Sequence, residues 1–359
     1  MAGVLFVLPG FVLMTAISIL YVLFQSVSFM QGILFGLKAA VLAVVLEAVV
    51  RIAKRALKNR LSWVIAGAAF VAIFALRVPF PAIILVAAIL GFVQQRAQPS
   101  PASPGSTPRP ASVEVPAPRG QCLARRAMKI ALVCGALWFV PIAVLIAALG
   151  PSHVLSLQGI FFSKMAVVTF GGAYAVLAYV AQEAVQTFGW LSADDMLQGL
   201  ALAETTPGPL ILVLSFVGFL AAFHDAAPFD PIAAGILGAV LTTWVTFVPC
   251  FLWVLLGAPY IERLRHQKAL SAALAMVTAA VVGVILNLAI YFAMHALFRT
   301  VGQWQGFGLA VSFPDVRTIE VPAVAIAVLA IVAMLRFHVP MLITLAAAAA
   351  LGLLYTLIS

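Results

Sequence analysis

The residues able to do chemistry are few, and several gather in one stretch. Glu204-Thr205-Thr206-Pro207-Gly208-Pro209 stands between a polar interval and an apolar run. Thr caps helix starts and Pro fits the first helical turn, so the motif predicts a helix N-terminus here. Within a membrane, such an N-terminus offers free backbone N–H groups and the positive end of the helix dipole, which is anion-binding chemistry. An ordinary interfacial helix start is the competing reading. Upstream, Phe170-Gly171-Gly172-Ala173-Tyr174 puts adjacent glycines inside an apolar run. Either Gly171 and Gly172 let helices approach closely, or they break a helix and open its backbone to a substrate.

Three ionisable side chains, Lys38, Glu47 and Lys164, lie within or near apolar runs, where such groups are functional candidates. Lys164 is about one turn from its helix start and Glu47 one turn before a basic loop, so snorkelling or local pairing competes for both. Lys38 is deeper and is expected to face protein or water. A dipole alone holds an anion weakly, so Lys164 or Lys38 should assist the Thr-Pro-Gly site. Glu204 would oppose an anion there unless protonated or turned away. Cys122, Cys134 and Cys250 form no pairable framework, and the five histidines are scattered, so no metal, cofactor or redox motif is read. The same scatter offers no nucleophile with a base, which argues against an intramembrane enzyme.

The elements that must position these groups follow from composition. Of 359 residues 65% are hydrophobic and 9% charged, with a mean hydropathy of +1.17. Soluble domains, disordered chains and coiled coils are excluded. Apolar runs of membrane-crossing length recur from end to end, and they are helices, because barrel strands would alternate. The expected fold is an all-α polytopic membrane protein with about eleven transmembrane helices. The spans are 3–24, 29–50, 61–76, 80–93, 128–149, 159–180, 207–223, 230–257, 269–298 and two after residue 321. Between 182 and 204 lie four acids and no base, with Phe188 and Trp190, which reads as an amphipathic segment on the cytoplasmic face.

The net charge of +9 does not signal nucleic acid. Basic residues cluster at 51–60, 94–127 and 263–268, each cluster abuts an apolar span, and no aromatic residues interleave to stack on bases. Placing these clusters inside makes the N-terminus cytoplasmic and the C-terminus external. The 94–127 stretch carries seven of the 21 prolines and reads as a solvated linker. It divides a first part, 1–93, from a second, 128–359.

The two parts match. Leu5-Phe6-Val7-Leu8-Pro9-Gly10-Phe11 resembles the run from Val245 to Phe251, and the run from Ala40 to Glu47 resembles that from Ala280 to Asn287, both at an offset of 240 positions. Val78-Pro79 matches Val339-Pro340 at a larger offset, the difference falling in the loop between Trp304 and Glu320. The basic loop follows the Glu47 helix but precedes the Asn287 helix, so matching helices cross in opposite directions. Inverted repeats are a transporter architecture with the substrate site between the copies. The second copy carries about 75 residues ahead of its Pro249 helix, from Lys164 to Gly238, and the first has no counterpart. The expectation is a first repeat that lacks its N-terminal part.

The segment 161–222, with its Phe170-Gly171-Gly172 and Thr205-Thr206-Pro207-Gly208-Pro209 motifs, resembles the signature of the chromate ion transporter family. The runs 242–262, from Leu5 onward and from Gly36 onward are similar to it as well. The resemblance implies an inner-membrane transporter that expels chromate and confers resistance, with sulfate as an analogue. It implies that long chains carry two opposed halves and short ones act in pairs, so a homodimer or a partner half-transporter enters as an implied partner. Carried over on matching positions, the pathway residues are Lys164, Phe170, Gly171, Gly172, Gln182, Glu183, Trp190 and Glu204 to Pro209. Glu47, Glu183 and Glu204 are the coupling candidates.

Overall fold

The computed structural model describes residues 2–97, 120–168, 172–206, 208–257, 267–306 and 309–358. Helices α1 (Ala2–Phe24) and α2 (Ser28–Ala56) lead into a hairpin of α3 (Arg60–Phe74) and α4 (Phe80–Ala97). Next come α5 (Gly120–Leu149), α6 (Val154–Val168) and α7 (Ala173–Ala181), which continues as a π-helical turn over Gln182–Thr187. Helix α8 (Ala193–Thr205) turns through a short 3-10 segment, Leu210–Leu212, into α9 (Val213–His224). The chain ends with α10 (Pro231–Gly257), α11 (Lys268–Leu297), strands β1 (Val301–Gly306) and β2 (Leu309–Pro314), α12 (Val321–Leu335) and α13 (Met341–Ile358).

Among the described residues six helices are long and apolar enough to cross a membrane, and five more apolar helices are shorter. The chain is therefore an all-α polytopic membrane protein apart from one β-hairpin. A 15-residue helix such as α3, α6 or α12 rises about 22 Å, short of a hydrocarbon core of roughly 30 Å. These short helices are paired as hairpins, α3 with α4, α6 with α7 and α12 with α13.

The turn after α3 and the turn after α12 match. Arg77 (φ 50°) and His338 (φ 54°) both adopt the left-handed conformation. Val78 N donates to the Ala72 carbonyl at 3.0 Å, and Val339 N to the Ala333 carbonyl at 3.0 Å. Ala82 N to Pro79 O (2.9 Å) is matched by Ile343 N to Pro340 O (3.1 Å). Each proline removes a donor and starts a new helix, so both copies build the same turn.

The repeats are also interlocked. Helix α2 packs chiefly on α12 and α13, whereas α11 packs chiefly on α3 and α4. Gly36 lets α2 lie directly on the backbone of Ala348, and Gly91 lets α4 lie on Ala272 and Ala273 of α11. In both interfaces small residues set the approach, as expected where the hydrophobic effect cannot drive association. Each long helix is thus held by the hairpin of the other repeat.

Four expectations are corrected. The span expected over 159–180 is two helices, α6 ending at Val168 and α7 starting at Ala173. The loop after α11 is an antiparallel β-hairpin, pairing Val301 with Pro314 and Trp304 with Val311. The 94–127 linker is helical at both margins, since α4 continues to Ala97 and α5 starts at Gly120. The acidic interval is no surface segment: α8 buries Met196, Leu197, Leu200, Ala201 and Ala203 among α1, α2, α9 and α11. Trp190 is likewise buried, its ring stacked on Phe188 at 4.3 Å and edge-on to Phe161 at 5.7 Å. Its amphipathic ring serves the core here instead of anchoring at an interface.

Candidate functional site

Two hairpin tips and one long helix meet at a cavity. The α6–α7 tip ends at Gly172, whose φ of +106° excludes most side chains. A Cβ on Gly172 would touch nothing within 4 Å among the described residues, so this glycine serves the turn rather than close packing against them. Beyond it α7 is buried from Ala175 to Ala181, and its first N–H groups have no intrahelical acceptor. Gly171 and Phe170 lie outside the described residues.

The second tip joins α8 to α9. Gly208 has φ +143° and backs onto Gly10 of α1, whose Cα lies 3.5 Å from where a Cβ would sit. Pro207 is outside the described residues. The expected Thr cap is corrected. Thr205 Oγ1 donates to the Leu202 carbonyl and Thr206 Oγ1 to the Ala203 carbonyl, both at 2.8 Å. Both hydroxyls close the end of α8 instead of opening α9, and Pro209 enters the 3-10 segment without a side-chain cap.

Glu204, one turn back on α8, faces the α7 tip. Tyr174 Oη donates to its Oε1 at 2.7 Å. Across from them on α2, Arg51 donates to Glu47 over one helical turn. These four residues line an open cavity of about 400 Å³, completed by Met334 and the α12–α13 turn at His338, Val339 and Pro340. Two carboxylates, one guanidinium, a phenol and an imidazole thus converge where both repeats contribute walls. The arrangement can hold an anion at Arg51 and take up protons beside it.

Of the residues expected from sequence, Glu47 and Glu204 come together here. Lys38 does not join them: its Nζ pairs with Asp194 Oδ1 at 2.7 Å. Asp194 lies at the opposite end of α8 from Glu204, about 15 Å away along the axis. Next to it, Ser192 and Asp195 form a capping box, and Tyr21 Oη donates to Asp195 Oδ1 at 2.6 Å. Lys164 is exposed on α6, and Glu183 sits in the π-turn. Arg51, Tyr174 and His338 went unread. Arg51 carried a signal, since it lies four residues after Glu47 and shares its helix face.

Helix α7 leads from this cavity to another. Tyr174 lines the first, while Ala178, Ala181 and Gln182 line a second of about 50 Å³, with Arg77, Asn287 and Tyr291. Glu47 of α2 and Asn287 of α11 therefore lie toward opposite ends of α7.

The comparisons with known proteins agree with this architecture. A family model described as Chromate transporter matches residues 1–92 and 158–353. A chromate transport protein of Pseudomonas aeruginosa is 35% identical over 295 residues, 79% of this chain and 61% of that protein. One of Cupriavidus metallidurans is 27% identical over 298 residues, covering 83% and 65% of the two chains. A probable chromate transport protein of Synechococcus elongatus is 25% identical over 300 residues, covering 83% and 66%. The chain thus spans less than two thirds of the length of these curated relatives. No solved structure matches. The family model covers most of the chain, both hairpin tips and the α2 and α11 walls between them, and on this ground the chain belongs to the chromate transporter family.

Proposed function

We propose that this chain carries chromate across a bacterial inner membrane as a multi-pass secondary transporter, outward, with sulfate as a competing tetrahedral dianion. The carrying observation is the cavity at the repeat interface, where Arg51 stands with Tyr174, Glu47 and Glu204 at the tip of a broken helix. Transporter sites of this architecture are built from discontinuous helices near the membrane midplane. The relatives named for chromate transport support the choice of anion. Lys164, Gly171, Gly172, Lys38 and the tip from Thr205 to Pro209 belong to the proposed pathway as wall and frame. Glu204, with Glu47, is the proposed coupling carboxylate, and Glu183 is the more remote candidate.

Export follows from charge. With the basic loops inside, an interior-negative potential contributes roughly 2.3 kcal/mol per charge per 100 mV, so about 4.6 kcal/mol for a dianion. That sustains a gradient of about three decades without a coupled ion. Inside-out membrane vesicles holding the chain should accumulate radiolabelled chromate when energised, and sulfate in excess should suppress it. Accumulation no greater than in vesicles without the chain would overturn the proposal. A second reading, that a partner half-transporter or a homodimer is needed, rests on the shorter span relative to the curated relatives. Dilute reconstitution separates them, since a chain that works alone transports at one copy per vesicle.

A further inference from the structure

The narrow cavity at the far end of α7 is the symmetry mate of the wide one. Glu47, Ala48 and Arg51 of the wide cavity shift by 240 positions onto Asn287, Leu288 and Tyr291. Met334 and His338 shift back by 261 onto Ile73 and Arg77. All five shifted positions line the narrow cavity. The repeat thus reproduces the walls while changing their chemistry.

Among the described residues no carboxylate lines the narrow cavity, and Arg77 is its cation. Its other polar groups are the amides of Gln182, Gln186 and Asn287 and the hydroxyls of Tyr291 and Ser312, all able to donate. The buried Oε1 of Gln182 has no hydrogen-bond partner among the described residues. Rotating that amide presents its NH2 instead, and a buried group without a partner is costly until something fills the site. The π-turn that delivers Gln182 and Gln186 is a rare element that occurs mostly at functional sites.

One element here has no counterpart in the first repeat. The offset grows from 240 to 261 across the segment holding β1 and β2. Ser312 of β2 lines the cavity, and Gln303 of β1 accepts a hydrogen bond from Arg77 Nη2 at 3.1 Å. The hairpin therefore lies over the cavity and occupies its cation.

We infer that the narrow cavity is a second subsite for a tetrahedral oxyanion dianion, closed in this conformation by the β-hairpin, with Arg77 exchanging Gln303 for the anion when it opens. The inference rests on the transport reading above. A guanidinium and neutral donors, with no carboxylate to repel the guest, match four acceptor oxygens and a double negative charge. The two cavities would then be the two faces of one alternating site, with α7 between them.

Sided transport tests this. Radiolabelled sulfate is offered to sealed membrane vesicles of either orientation carrying the wild-type chain, Arg77→Gln or Arg77→Lys. Arg77→Gln should raise the half-saturating sulfate concentration about tenfold or more at the face bearing Arg77, the size expected for a hydrogen bond to a charged group. At the opposite face it should change less than about twofold, and Arg77→Lys should recover part of the loss. An equal shift at both faces would mean a structural role and overturn the subsite, as would no shift. Wild-type vesicles that move neither sulfate nor chromate would overturn the transport reading itself, and the subsite with it.

Discussion

The two cavities share walls and differ in charge. At the wide end Glu47 and Glu204 stand with Arg51, Tyr174 and His338 around about 400 Å³. At the narrow end Arg77 stands among amides and hydroxyls around about 50 Å³. Interlocked packing requires matching shapes at both ends, so helix positions and turns are conserved between the repeats. Side chains facing the cavities escape that constraint. Glu47 becomes Asn287, Arg51 becomes Tyr291, and Arg77 becomes His338. Among the described residues the carboxylates that line these cavities, Glu47 and Glu204, both lie at the wide end, while Glu183 sits in the π-turn near the narrow one without lining it. Proton sensitivity is therefore expected at the wide end, and charge selection with little pH dependence at the narrow one.

The largest effect should come from the turn that shapes the wide end alone. Gly172→Ala forces a side chain into φ +106°, a conformation that costs L-residues of order 1–3 kcal/mol. The added methyl group meets open space, so packing and abundance should hold while the tip relaxes. Chromate transport should fall at least tenfold at near-normal membrane abundance, measured by vesicle uptake and immunoblot. Degraded protein would show that the glycine serves folding, and the contrast between the ends would lose its structural cause.

A smaller, sharper effect is expected at Glu204. Protonation removes a negative charge from the wall that a dianion must pass, so wild-type transport should rise as pH falls. Tyr174, Glu47, Arg51 and His338 all face the same cavity. Glu204→Gln fixes the neutral form and should flatten the profile near its acid-side level. The measurement is sulfate transport between about pH 5 and pH 8, the range in which carboxylates shifted by burial and histidines titrate. Sulfate stays a dianion throughout, so the substrate does not titrate. An unchanged slope in Glu204→Gln would move the proton-sensitive group elsewhere.

Much of the framework was legible. Apolar runs report helices because a bilayer leaves backbone groups no other partner, and basic loops marked where the chain turns. The repeat was readable because Pro79 and Pro340 are needed in the same turn, and the Glu47–Asn287 match foretold paired walls. What lies between helices was not readable. The packing of α2 on α13 depends on Gly32, Gly36 and Gly352 meeting across the bundle, and no periodicity announces that. The Lys38–Asp194 pair joins residues remote in the chain and leaves no local pattern. The Arg51–Glu47 pair is the local pairing with the basic loop that the spacing of Glu47 allows, and the Ser192–Asp195 capping box is a further local signal in the sequence.

A helix does start after Pro209 of the Thr-Thr-Pro-Gly-Pro motif, but the two Thr hydroxyls belong to the end of the preceding helix, and this yields the smallest predicted effect. Thr and Pro mark helix starts, but Pro also follows helix ends because it cannot continue them. Both hydroxyl protons are spent on carbonyls in the last turn of α8, at 2.8 Å each. A hydroxyl so engaged has lone pairs left and no proton to donate to an oxyanion. Thr206→Val should therefore cost one side chain to backbone hydrogen bond, about 0.5–1.5 kcal/mol of stability, and little affinity. The half-saturating sulfate concentration at the wide end should change less than about threefold. The same variant should lower the temperature of unfolding in detergent by a few degrees, which locates the loss in the helix end. A tenfold weakening at the wide end alone, with unfolding unchanged, would mean that the hydroxyl turns from Ala203 to the anion during transport. The wide cavity would then bind with the same kind of neutral donors as the narrow one, and the chemical contrast between the ends would reduce to their carboxylates.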